Sequence, residues 1–424
     1  MRIAIQGGLL VDPKTGTEKK QNVYINKGII EAIGKEPAWT NKKVTNIDAT
    51  DLIVSPGFVD LRARMREPGH EHKATLATET RAAVLAGITS LCMPPDCIPA
   101  IDTPAIAQMI RQRANELGGA KVYPIAALTH GLQGSVLTDM KALVDAGCVG
   151  VSNALAPLDN TLVMRRALQY ATTFDVLALI YPQNASLRGN GVAHEGRVST
   201  RLGLPASPVA AEIVGLARDL ALVETTGARA HFCGISSARA VEMIQEARVR
   251  GLSVTADVTI AHLHLTEDSL LSFDTNCHVE PPFRSEQDRQ ALVAAVVDGT
   301  ITAICTDHQP HEPEAKLTPF SESEPGTSSL EVLLPLALAT GKQTQMSLAT
   351  TISMLTYGPA RVLNIEAGEI SVGQRADVCI FDRDEQWVLD ENSINSAGKN
   401  SPFLGDTLTG KIKQVICEGK LITI

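Results

Sequence analysis

Short apolar, β-branched runs broken by turn residues open and close the chain, and a different pattern fills the middle. Near the start, "RIAIQGGLLV" and "QNVYINKGIIEAIG" read as strands, and Asn26-Lys27-Gly28 suits a tight hairpin. The end reads the same way, in "GEISVGQRADVCIFD" and "KIKQVICEGKLITI". Two β segments enclosing a long middle predict one small β-sandwich assembled from both ends, residues 1–53 and 365–424. Over 54–364, apolar runs recur at "LIVSPGFVDL", "ITSLCMP", "KVYPIAAL", "CVGVSN", "VLALIYP", "ARAHFCG", "LSVTADVT" and "ITAICTD". Helical stretches with polar starts and glycine stops lie between most of them. Asp102-Thr103-Pro104 opens one that Gly118 ends, Ser207-Pro208 opens a second, and Ser236-Ser237 opens a third that Gly251 ends. Eight strands alternating with helices predict an α/β fold of the closed (β/α)8 TIM-barrel type.

Composition narrows the setting. Apolar residues are 44% and charged residues 20% of 424, ordinary for a globular chain. A net charge of -9 argues against nucleic acid and membrane surfaces as partners, since both select for clustered Lys and Arg. No run approaches the ~20 apolar residues of a membrane span, and "MRIAIQGGLLVDPKTG" does not read as a signal peptide, so a cytoplasmic location is expected. The eight Cys form no C-x-x-C pair, and several sit inside predicted strands as small buried hydrophobes.

In a barrel of this kind chemistry sits at the C-terminal strand ends. Those ends are predicted to carry Arg62 and Arg64, then Pro95-Asp96, Thr129-His130, Asn153, Tyr181, Gly234 and Asp257, and finally Asp307-His308 with His311 nearby. A zinc centre needs several His and a carboxylate converging here. Only Asp307 is a persuasive candidate. His231, inside its strand, reads as a core histidine, and the pair His262 and His264 reads as structural.

Several collinear motifs resemble the dihydroorotases of the amidohydrolase superfamily: "PGFVD" followed by "MREPG", "ATLATETRAAVLAGITSLCMP", "VEPPFRSEQDRQAL", "CTDHQPH", "YGPARVLNI" and "GEISVGQRADVCIFD". The resemblance spans essentially the whole chain. It implies metal-assisted ring opening and closing of dihydroorotate. Position by position, it places the family's His-x-His on Arg62 and Arg64 and its carboxylate or carboxylated Lys on or beside Asn153. The remaining His fall on Tyr181 and on Gly234 or Cys233. Asp307, the substrate-contacting Arg66 and the lid-side His311 are kept. Arg cannot ligate a metal, because it stays protonated and offers only N–H donors. Two such charges within ~5 Å of a divalent ion repel it by several kcal/mol even at a dielectric near 20.

The expectation is therefore a dihydroorotase-like chain without catalytic residues, metal or cofactor, in which Arg62, Arg64, Arg66, Asn153, Tyr181, Gly234, Asp307, His308 and His311 mark a vestigial site. The resemblance implies a structural role for it beside the catalytic chain of aspartate transcarbamoylase in pyrimidine biosynthesis, in a homo- or hetero-oligomer. Two alternatives stay open. One is an amidohydrolase with mononuclear or metal-free chemistry on a cyclic amide through Asp307, His308 and His311. The other is a sensor in which Arg62, Arg64 and Arg66, at i, i+2 and i+4 on one strand face, hold an anionic pyrimidine precursor. The Pro-, Ser- and Glu-rich stretch 311–329 is expected to be a mobile loop over the barrel mouth.

Overall fold

A computed structural model describes residues 1–40 and 43–423. Eight parallel strand positions form the barrel, in order Phe58–Asp60, Ile88–Met93, Lys121–Pro124 with Ala126–Ala127, Val151–Ser152, Ala178–Ile180, Ala230–Phe232, Val254–Thr259 and Ala303–Cys305. The third is broken at Ile125, whose N–H goes back to Met93 while that of Ala126 goes forward to Gly150. Closure between the eighth and first strands comes just beyond their ends, through a parallel bridge between Ala63 and His308 and the Arg64 N–H to His308 carbonyl bond of 2.8 Å. The first and last site segments are thereby zipped together.

The helices start and stop where their end residues require. Helix Pro104–Leu117 carries Pro at its first position and ends on Gly118 at φ 69°. Ser237 caps Ala238–Val249 by accepting from the Ala240 N–H. Helix Val209–Thr226 ends on left-handed Gly227. None of the described helices is long and apolar enough to cross a membrane.

The termini build two sheets. One orders strands Ile29–Ile33, Val23–Asn26, Arg2–Gln6 and Thr45–Asp48. The other runs Lys420–Ile422, Thr407–Cys417, Val378–Val388, Ile53–Pro56, Leu9–Asp12 and Thr17–Lys20. Ile3, Ile5, Ile25 and Ile47 of the first share one buried cluster with Val54, Val378, Ile380 and Ile416 of the second, so the sheets pack face to face as a sandwich.

Two details depart from the sequence reading. The run "LIVSPGFVDL" is two strands rather than one. Ile53–Pro56 pairs with Leu9–Leu10 and Val378–Phe381 in the sandwich, and only Phe58–Asp60 enters the barrel. Gly57 makes the transition, packed so tightly on Thr89 that a side chain has no room. Secondly, residues 389–406, between the two long strands of the C-terminal hairpin, leave the sandwich and cross the barrel mouth as a strap. There Ala397 N–H donates to Glu79, Asn395 and Ser396 N–H donate to Glu331, and Asn400 binds the loop after the eighth strand.

Candidate functional site

The chain turns outward after Asp60, and Arg62 and Arg64 project into the barrel mouth, both buried. Arg62 Nε donates to Asp307 Oδ1 at 2.7 Å, while its two terminal nitrogens each lie 3.5 Å from an oxygen of Asp257. Arg64 Nε donates to Asp96 at 2.7 Å and its Nη1 to the same Asp307 oxygen at 3.0 Å. Two guanidiniums thus face three carboxylates across the first, second, seventh and eighth strand ends. Burial opposes the charge on both arginines, yet the carboxylates outweigh it and their pKa values rise. Asp257 responds in the reverse direction. Burial would raise it, but Arg62 and the hydrogen bond from His231 hold it down to about 2. Beneath the network, Asp60 accepts from Thr306 and from the Arg62 N–H, and burial pushes it up to about 6.

Arg66 does not join this cluster. Its backbone takes φ 62°, so the strand geometry that would align Arg62, Arg64 and Arg66 on one face ends before it. Its Nε goes to the Pro310 carbonyl and its Nη2 lies 3.0 Å from His311 Nε2. His311 is buried between Arg66 and Lys73. Burial first, then Arg66 and Lys73, depress it to about 2, so it is neutral. Burial first, then Arg64, also lowers Arg66, to about 10.

The other expected positions are scattered in role. Asn153 accepts from Thr129 at 2.8 Å and donates to the Leu132 and Ala156 carbonyls, which pins a loop. Tyr181 Oη is buried without a hydrogen-bond partner among the described residues, and burial with Glu280 and Glu212 drives its pKa well up, so it stays a neutral phenol. Gly234 has φ 63°, donates its N–H to Asp257 Oδ1 at 2.7 Å, and leaves beside it the space that Arg62 fills. His308 is wholly buried, with Nε2 on Glu79 at 2.7 Å and Nδ1 accepting from the Ser329 N–H, so it ties the strand-eight loop to the helix at Leu76–Leu85. His130 lies on the rim, exposed, beside Asp102. Asp307, His308 and His311, close in sequence, therefore point into three separate environments.

Asp257 and Asp96 are the residues whose partnership with the arginines the sequence left unassigned. Asp257 sits inside a strand of alternating pattern, where its inward direction was readable, but no local signal names Arg62 as its partner.

The mouth is closed. The stretch 311–329, expected to be mobile, is held by specific contacts. Glu324 pairs with Lys73, Gly326 N–H reaches the His278 carbonyl at 2.8 Å, Gln309 N–H reaches Thr327, and Phe320 is buried against His278. Asn400 of the strap stitches it from above, donating to the Gln309 and Gly326 carbonyls. Its composition is that of a loop, but two apolar anchors, Ala315 and Phe320, dock it. Two cavities touch the site, one of about 10 Å³ beside Asp307 and one of about 20 Å³ beside Tyr181 and Asn153. Each holds about one water at most.

A zinc ion does not fit these residues. His231, Cys233 and Asp257 bring donor atoms within 4.8 Å of one another, but every donor is engaged or protonated. His231 Nδ1 is 2.7 Å from Thr255 Oγ1 and its Nε2 is 3.0 Å from Asp257. Burial holds the Cys233 and Cys305 thiols well above their ordinary range, and Arg62 Nη2 lies 3.5 Å from Cys305 Sγ. The carboxylates already have their counter-ion, and it is covalently part of the chain.

Comparison with known proteins agrees with this architecture. A profile described as dihydro-orotase-like matches residues 51–240, and one for the amidohydrolase family matches 194–422. A "Dihydroorotase-like protein" of Pseudomonas putida is 45% identical across 99% of this chain and 98% of its own. A "Dihydroorotase" of Syntrophus aciditrophicus is 36% identical across 100% and 99%. The L-hydantoinase of Arthrobacter aurescens shares the fold at TM-score 0.88 and 20% identity, over 99% of this chain and 96% of that one.

Proposed function

We propose that this chain, which belongs to the dihydroorotase-like family of the amidohydrolases, is a non-catalytic member that works as a structural partner of the aspartate transcarbamoylase catalytic chain. One observation carries the non-catalytic half of this reading. The Arg62 guanidinium lies against Asp307, the carboxylate that the resemblance assigns to the metal, and against Asp257 beside it. An internal cation of fixed charge satisfies them at every ordinary pH, and without a Lewis acid neither water nor an amide carbonyl is activated.

Two further features support the reading. The mouth is sealed by the loop and strap, and Asp307 accepts from Arg62, Arg64 and Gln309, so its carboxylate is committed to ion pairs within the chain. The assembly half rests on the sequence resemblance, together with a fold kept whole, with capped helices and a continuous core, around a site given over to ion pairs. Relatives that bear the name dihydroorotase make cyclic-amide hydrolysis the competing activity. Elemental analysis of purified protein, with a dihydroorotate and carbamoyl aspartate turnover assay, separates the two. Stoichiometric zinc or appreciable turnover sinks the non-catalytic reading. Capture from a native lysate followed by sizing tests the partner: co-elution with transcarbamoylase in a large complex is expected, and a solitary species overturns that half alone.

A further inference from the structure

At the opposite end of the barrel, where the strands begin, the structure holds a second feature with no connection to the mouth. We infer that the cleft there is a binding site for a phosphorylated small molecule carrying more than one negative charge. It encloses about 570 Å³, within the range of small-ligand sites, and Arg229, Arg248 and Arg361 line it with Tyr357, Ser253 and Ser353. Among the described residues no Asp or Glu lines it, although acidic residues outnumber basic ones by 47 to 38 in the chain. Chance placement on such a surface should mix the signs; a cleft of one sign focuses its field on an incoming anion.

The three arginines come from different elements and are only lightly compensated. Arg229 directly precedes the sixth strand, and its nearest carboxylate, Asp175, is 3.8 Å away and mostly exposed, so that pairing is weak. Arg229 Nη2 lies 3.4 Å from the Asp175 carbonyl, while its Nε and Thr302 Oγ1 are buried with no hydrogen-bond partner among the described residues. Arg248 donates to the Thr300 carbonyl at 3.0 Å, a contact that fixes the guanidinium without cancelling its charge. Arg361 lies over the Tyr357 ring at 5.7 Å and forms no ion pair among the described residues. Guanidinium forks match phosphate oxygens two at a time, so three of them suit a polyvalent phosphate better than a single carboxylate. Leu252, Val254 and the Tyr357 ring give the organic part of such a ligand an apolar wall.

Pyrophosphate is the minimal probe. Calorimetric titration of the full chain should show saturable, one-to-one binding. Arg361→Ala and Arg229→Gln should each weaken it by about tenfold or more, as expected for loss of a charge-assisted pair. Arg383→Ala, an exposed arginine in the sandwich hairpin, should leave it unchanged. Arg361 is exposed, so its removal leaves the fold intact, and an unaltered melting profile checks this. Absence of saturable heat at millimolar pyrophosphate overturns the inference. So does an equal loss in Arg383→Ala, which marks the response as general charge attraction.

Discussion

Gly234 and Arg62 occupy each other's alternatives: a Cβ built on Gly234 would lie 3.1 Å from Arg62 Nη2. The backbone at 234 also sits at φ 63°, where a side chain is strained. Any larger residue at 234 must therefore displace the guanidinium that neutralises Asp257. Gly234→Ala is expected to cost about 1–3 kcal/mol, from left-handed strain and crowding together. The same substitution combined with Arg62→Ala should cost less than the sum of the two. Urea midpoints for the single and double variants test this, and strict additivity would show that the two positions do not sense one another.

Removing Arg62 leaves buried Asp257 without a guanidinium and Asp307 with only that of Arg64. Arg62→Ala should lose about 3–5 kcal/mol at neutral pH, the usual cost of breaking a buried pair from one side. The pH dependence follows from Asp257. Its folded pKa of about 2 is below that of an unfolded Asp, so its contribution is present above pH ~4 and lost as pH falls toward 2. In the variant only the bonds from His231 and the Gly234 N–H still oppose burial, so the Asp257 pKa rises and that contribution shrinks. The gap between wild type and variant should be widest near neutrality and should shrink on acidification. A gap that stays constant with pH would mean that Arg62 acts through packing and not through charge.

The protein as a whole is expected to lose stability on acidification through its buried neutral histidines. His278 lies under the loop against Phe320, and burial first, then Lys316, pushes it down to about 4. A depressed His binds no proton in the fold while the unfolded chain does, so its contribution is intact above pH ~6.5 and is lost as pH falls toward 4. Between pH ~7 and ~5 one such group accounts for about 2 kcal/mol. Asp60, raised to about 6, works in the opposite sense over the same window and softens the slope. His278→Asn should flatten the decline by about 2 kcal/mol, read as the difference between denaturation free energies at the two pH values. An unchanged slope would place the acid sensitivity elsewhere.

Much of this was readable from residue order, and the remainder has a physical reason for being hidden. Alternation of strands and helices predicts the barrel, and the barrel rule puts Arg62, Arg64 and Asp307 at one end, where they do meet. The hairpin at Lys27-Gly28 forms with both residues at positive φ. Arg66 is different: its spacing from Arg64 promises the same face, and only the left-handed turn at Arg66 itself, which no neighbour announces, sends it to His311. The closed mouth was hidden for another reason. Composition reports what a segment can do alone, whereas the loop at 311–329 is ordered by residues far along the chain.

Asn400 is the clearest of those distant residues, and it supports the last prediction. Its side chain accepts from the His311 N–H at 2.9 Å and donates to the Gln309 and Gly326 carbonyls at 3.0 and 3.1 Å, all in buried surroundings. Its own carbonyl accepts from the Ser328 N–H. Asn400→Ala keeps that backbone bond but leaves one N–H unpaired and two carbonyls each short of a partner, at about 1–3 kcal/mol apiece when water cannot enter. Water can enter if the loop lifts, so the cost should appear as opening more than as global unfolding. Expected outcomes are faster proteolysis within 312–330 and loss of amide-exchange protection at Gln309 and Gly326, with only a small shift in the overall melting temperature. If instead the whole protein melts many degrees lower with the loop still protected, the strap is part of the core and not a clasp upon it.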